Sequence, residues 1–173
     1  KVCFMPLTFG GRIKNIDDIQ KRLDNGADKV VINSAAYTEK DLLRQSSKKF
    51  GSQCIVGGID AKLVDKNKWE VYINNGTKNI NISPVDWAKN LEKNGAGEIF
   101  LNSIDRDGSA LGYDIDLIKA VTDAVKIPVI ACGGAGKYSD ISNVIKSSNA
   151  SAAAVGNLLH FYELSYLRIK EVS

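Results

Sequence analysis

Much of what assigns a chain to a class is scarce in this one. No apolar run reaches about 18 residues, so no membrane-spanning helix is expected. There is one histidine, His160, and one methionine among 173 residues. No metal cluster, Ser-His-Asp set or Walker-type phosphate loop is visible in the sequence. Cysteine is limited to Cys3, Cys54 and Cys132, each in an apolar strand-like run. An odd count without metal spacing argues against a disulfide framework and predicts free buried thiols in a reducing, cytoplasmic compartment. Charge of one sign is also missing: 23 Lys and Arg against 20 Asp and Glu leave a net charge of +3. The lysines are scattered and read as solvated helix faces, so no nucleic-acid partner is expected. The start, Lys1–Pro6, predicts no signal peptide, because Pro6 and a glycine pair follow at once.

What is present is a repeat. Pro6-Leu7-Thr8-Phe9-Gly10-Gly11 leads into a helical stretch and then Ala27-Asp28-Lys29-Val30-Val31-Ile32-Asn33-Ser34. The second copy starts at Pro128, with Gly133-Gly134, and closes with Ala150 to Asn157. The glycine pairs are 123 positions apart, and each is followed 16 positions on by the next strand's leading alanine. A repeated strand–turn–helix–strand unit is a statement about architecture. It also suggests two similar anion sites, because peptide N–H groups at tight glycine turns bind phosphate. A lone Gly-Gly is more readily a tight turn or a packing contact; its repetition reverses this and favours phosphate.

Short, continuously apolar strands are predicted at Phe4–Phe9, Lys29–Asn33, Cys54–Ile59, Glu98–Ser103, Pro128–Ala131 and Ala152–Val155, the pattern of a parallel sheet buried on both faces. Helices follow each, opened by Asn15, Thr38, Ser83-Pro84, Asp114 and Ser139, with a last one near His160–Lys170. Six βα units of about 29 residues fit a doubly wound sheet or a (β/α)₈ barrel. The repeat, displaced by four units, favours the barrel. A full barrel takes about 250 residues. Residues 1–173 therefore read as a single TIM-barrel domain lacking its first two units. A six-unit wedge exposes two strand edges, so the remaining strands are expected from a longer chain or from elsewhere. Between Ile59 and Ser83 a hairpin, Lys68–Ile73 with the turn Asn75-Gly76, is predicted as a lid or a stabilising flap.

In such a barrel the strand carboxyl ends meet the ligand. They place Gly11 and Arg12 with Asn33 and Ser34 at one rim, and Gly133 and Gly134 with Gly156 and Asn157 at the other. Asp60 is the candidate general acid or base between them. Asp105 and Asp107 flank Arg106, and at least one of them is expected in a structural loop salt bridge. His160 reads as a packing or capping residue. At the opposite end, Lys29 and Glu98 each begin a strand; a charged layer there is either a salt-bridged plug or a gate. No cofactor and no metal are implied.

The segments Phe50–Val56, Ile59–Lys62, Gly95–Ile99, Ser103-Ile104-Asp105-Arg106-Asp107-Gly108, Gly112–Asp114 and Gly133–Gly136 together resemble the cyclase subunit of imidazole glycerol phosphate synthase, a histidine-biosynthesis enzyme. The resemblance runs from end to end. It implies a (β/α)₈ barrel, a bisphosphorylated ribulosyl-formimino aminoimidazole carboxamide ribotide as substrate, and lyase activity. Ammonia would come from a glutaminase subunit docked at the bottom face, past Lys29 and Glu98. Asp60 matches one catalytic aspartate; the other belongs to the family's first strand. Asn102 and Asp107 fall among the substrate-binding positions. The family usually has Gly at Arg12, Thr at Asn102, Ser at Cys132 and Ala-Ala-Ser at Val155-Gly156-Asn157. Asn102 with Cys132 is also similar to a paralogous branch that supplies ammonia for sugar amidation in surface-polysaccharide synthesis. A glutaminase-binding scaffold without catalysis and a related bisphosphate isomerase are the remaining alternatives.

Overall fold

The structure, a computed structural model, describes residues 5–161. In chain order the elements are β1 (Thr8–Gly10), α1 (Ile16–Asp24), β2 (Lys29–Ile32), α2 (Ser34–Thr38), α3 (Leu42–Phe50), a 3₁₀ turn at Ser52–Cys54, β3 (Ile55–Asp65), β4 (Lys68–Ile73), β5 (Lys78–Asn79), α4 (Pro84–Lys93), β6 (Glu98–Ser103), α5 (Ile115–Thr122), β7 (Val129–Cys132), α6 (Tyr138–Ser148), β8 (Ala152–Ala153) and α7 (Leu158–Phe161). The parallel strands lie in the order β1-β2-β3-β6-β7-β8. That order never reverses. A doubly wound sheet reverses at a switch point; one that winds in a single direction, with a helix crossover at each step, is the wall of a barrel.

Local chemistry sets several helix starts. The Asn15 side chain accepts from the Asp18 N–H at 2.8 Å, and acids at 17 and 18 occupy the positive end of α1. Ser83 caps α4, with Pro84 in its first turn, and Asp114 caps α5 by accepting from the Leu117 N–H at 3.2 Å. Two starts differ from expectation. Thr38 ends α2 instead of opening a helix, because Ala35 and Ala36 bury a separate short turn against the core; α3 begins at Leu42 behind Asp41. α6 begins at Tyr138, one residue before Ser139, because Asp140 accepts from the N–H groups of Gly136 and Lys137 at 3.0 Å each.

The strand expectations fare unevenly. β6 lies as expected. β1 is displaced toward Gly10, and Phe4 falls outside the described residues. β8 is only two residues long. β3 runs six residues past Ile59, because β4 pairs with it antiparallel and carries the strand out into the predicted hairpin. Most of the last expected helix lies outside the described residues, as do the His160 side chain and Cys3. Cys54 and Cys132 are free, as expected, but half-buried.

The sheet's two faces divide the labour. Val30, Ile32, Ile55, Ile59, Ala61, Ile99, Leu101, Val129 and Ala131 are at most 2 % exposed and form the core with Ile19, Leu91, Leu117, Ile118 and Val144 from the helices. Alternation along each strand sends the intervening residues to the concave face. These are Lys29, Val31 and Asn33; Val56, Gly58 and Asp60; Glu98, Phe100 and Asn102; and Ile130 and Cys132. That face is charged at the bottom, apolar in the middle and polar at the mouth.

Candidate functional site

The mouth is set by register. Asp60 on β3 pairs with Asn102 on β6, and Asn102 pairs with Cys132 on β7. Asn33, just past β2, completes a row of polar side chains across the carboxyl ends. Two amides converge on Asp60: Asn33 Nδ2 donates to one carboxylate oxygen at 2.8 Å and Asn102 Nδ2 to the other at 3.2 Å. Both oxygens are thus held, and a group so fixed is aimed before any ligand arrives. Donating to a carboxylate fixes which way the Asn102 amide faces. Its Oδ1 is buried with no partner among the described residues, which costs about 1–3 kcal/mol wherever it occurs.

A cavity of about 590 Å³ opens at this mouth. Gly11, Arg12, Asn33, Ser34 and Asp60 all line it. The structure therefore brings the first rim and the candidate acid–base residue into one space. Gly11 has φ +99° with nothing within 4 Å of where a Cβ would stand, so open room surrounds its peptide. Arg12 is exposed, with no ion pair among the described residues. The glycines beside Asp60 differ in purpose. A Cβ on Gly57 would meet Leu91 at 2.9 Å, so Gly57 seats α4; one on Gly58 would meet Val31 and Asn33 at 3.0 Å, so Gly58 keeps the concave face open.

The second rim is separate from that cavity. Gly133 and Gly134 both have positive φ, at 92° and 110°. Here the turn is filled by protein. The Gly112 N–H donates to the Gly134 carbonyl at 2.8 Å, and a Cβ on Gly134 would collide with the Gly112 carbonyl. A Cβ on Gly136 would likewise collide with Ala110. These glycines seat the 104–113 loop. Gly156 and Asn157 are exposed beyond β8, with nothing within 4 Å of a Gly156 Cβ.

Asp105 is structural, though not through the expected salt bridge. Its carboxylate accepts from the Leu63 N–H at 2.7 Å and so ties the loop to β3. Asp107 is exposed and acts electrostatically on Cys132. Burial pushes the Cys132 thiol up to about 11; Asp107 and, less, Asp60 add to this, while a hydrogen bond from the Gly133 backbone opposes it. A raised folded value means that the unfolded chain loses its proton first. Stability from this group is therefore intact below about pH 9 and lost as pH climbs toward 11. At pH 8.5, iodoacetamide should label Cys132 in the folded chain about a hundredfold more slowly than in the unfolded chain, read site by site by mass spectrometry. Equal rates would refute this picture of the thiol.

At the other end of the concave face, Lys29 and Glu98 form an ion pair. β3 lies between their strands, so the pair bridges across it at the bottom of the wall. With side chains 34 % and 21 % exposed, such a pair contributes about 1 kcal/mol or less. That is little reason to put charge where barrels place apolar residues. Among the described residues no group of three His, Cys, Asp or Glu side chains could hold a metal, and no helix is long and apolar enough to cross a membrane.

Sequence reasoning missed Lys14, Asn74 and Asn75, which also line the cavity. It missed that Asn102 is a donor to Asp60; counting alternate residues up β6 from Glu98 would have found it. The Asn74–Gly76 run carried a signal, since asparagine tolerates positive φ, but only the fold shows what it overhangs.

A family model described as "Histidine biosynthesis protein" matches residues 1–165. The chain is 50 % identical over 167 residues to the imidazole glycerol phosphate synthase subunit HisF of Hydrogenobaculum sp. (strain Y04AAS1), covering 96 % of this chain and 66 % of that protein. It is 48 % identical over 170 residues to the subunit of the same name from Natranaerobius thermophilus, covering 98 % and 67 %. The HisF of Lactococcus lactis subsp. lactis (strain IL1403) is 46 % identical over 168 residues, covering 96 % and 65 %. The chain thus spans about two thirds of the length of the curated relatives it matches.

Proposed function

This chain belongs to the histidine biosynthesis protein family, and from that premise we propose that it acts as the cyclase part of an imidazole glycerol phosphate synthase. In this reading residues 1–173 are one barrel domain that supplies six of the eight βα units, and the family's second aspartate belongs to its first strand. The substrate is the bisphosphorylated ribulosyl-formimino aminoimidazole carboxamide ribotide. One phosphate sits on Gly11, Arg12, Asn33 and Ser34; the other sits on Gly133, Gly134, Gly156 and Asn157, with Asn102 and Asp107 toward the substrate between them.

The observation that carries this is Asp60, fixed by Asn33 and Asn102 in the cavity that the first rim lines. Adding ammonia to a carbon and expelling a ribotide both require protons to move, and a positioned carboxylate is suited to give and take them. The Lys29–Glu98 pair supports entry of ammonia from beneath. A glutaminase subunit docks at the bottom face, and the pair swings aside as ammonia passes.

The test is turnover. The chain is joined to the first two βα units of the Hydrogenobaculum relative and given ammonium ion and the ribulosyl ribotide. It should release imidazole glycerol phosphate and aminoimidazole carboxamide ribotide, both visible by mass spectrometry. Substrate binding without either product would overturn the cyclase assignment.

A further inference from the structure

The hairpin that leaves the mouth ends in an unusual turn. β4 is a fixed arm. Tyr72 pairs opposite Asp60, Val71 and Ile73 are 0 % and 1 % exposed, and the Trp69 indole N–H donates to Asp114 at 2.9 Å. At its tip Asn74, Asn75 and Gly76 take φ of 53°, 58° and 75°. Three successive residues in the left-handed region point their N–H groups to one side, as at the first turn of a helix. Asparagine and glycine are the residues that enter this region at least cost.

The first of those N–H groups, from Asn74, donates to Ser34 Oγ at 2.9 Å. A serine hydroxyl that accepts still has its own proton to give, and Ser34 gives it to no acceptor among the described residues. The Asn75 N–H also has no partner there. Asn74, Asn75, Ser34 and Arg12 all line the same cavity. An acceptor-only anion is what this cluster of spare donors lacks.

We propose that the Asn74–Gly76 turn is part of the anion site: the Asn75 peptide N–H binds a phosphate group directly, and the Asn74 N–H holds the Ser34 hydroxyl so that its proton meets the same phosphate. The inference rests on the phosphate reading of the first rim and adds donors from a segment outside the barrel wall. The chain Asn74 N–H to Ser34 O–H to phosphate is cooperative, since each bond polarises the next. The asparagine side chains serve only to permit the turn.

The probes are inorganic phosphate and ribose 5-phosphate, titrated by ³¹P NMR, with amide deuterium exchange followed over residues 73–77 of the unaltered chain. Bound phosphate should slow exchange across 73–77. Replacing Asn74–Thr77 by a two-residue Asn-Gly turn should weaken binding about tenfold, the loss of one charge-assisted bond. Phosphate that binds without changing exchange at 73–77, or that binds the shortened turn equally well, overturns this inference and leaves the rim reading standing. No binding of either probe overturns the rim reading, and this one with it. Should the shortened chain fail to fold, exchange in the unaltered chain decides.

Discussion

Asp60→Asn is expected to cut cyclisation by at least about a hundredfold, the lower end of what a general acid–base group supplies. The substitution is nearly isosteric, so packing is not the cause. The chemistry of the contacts is. Asp60 accepts from two amides, one at each oxygen. Asparagine has one acceptor and one donor, so one of Asn33 and Asn102 would face an N–H₂ group head on. The aim of the side chain is lost together with its ability to carry a proton. The half-buried position limits the folding cost, and stability should change by about 1 kcal/mol or less. Initial rates with ammonium ion, set beside ³¹P titration of phosphate, separate the two effects. A variant within tenfold of the parent rate would remove Asp60 from the mechanism. If a glutaminase partner is still activated by the variant while cyclisation is lost, docking and chemistry are separate properties of the barrel. Partner activation with no cyclisation in the parent would instead favour the scaffold reading.

The parts of this molecule that the sequence makes legible are those whose causes are local. Asn15, Ser83 and Asp114 open helices because a side-chain acceptor meets an N–H group three residues on. β6 is bounded by the turn at 94–97 and by the Ser103 loop, and all of that information lies within a few residues. What failed has distant causes. α2 exists because Ala35 and Ala36 have a core to press against, and β3 runs long because β4 returns beside it. The row Asn33–Asp60–Asn102 is written at three positions up to 69 residues apart. Only their register brings the three together.

The repeat that organises the sequence is chemically unequal in the fold. Gly11 and Gly134 are equivalent by spacing, and both have positive φ, +99° and +110°. Alanine at either incurs the left-handed penalty of about 1–2 kcal/mol. At Gly11 nothing more is added, because no atom lies within 4 Å of the new methyl. At Gly134 the methyl collides with the Gly112 carbonyl, whose own residue is hydrogen-bonded back to Gly134. A backbone oxygen has no rotamer in which to escape. The 104–113 loop must move, at a further cost of about 1–3 kcal/mol. A kilocalorie shifts the melting temperature of a chain this size by about 2–4 °C. Gly134→Ala should therefore melt several degrees below Gly11→Ala, and it should also displace Asp107, which the same loop carries. Thermal unfolding of the two variants side by side reads the difference. Equal melting temperatures would mean that the second glycine turn is as open as the first, and that its tight seat against Gly112 is wrong. The expected inequality would separate the two turns: Gly11 stands in open space, while Gly134 holds the 104–113 loop in place.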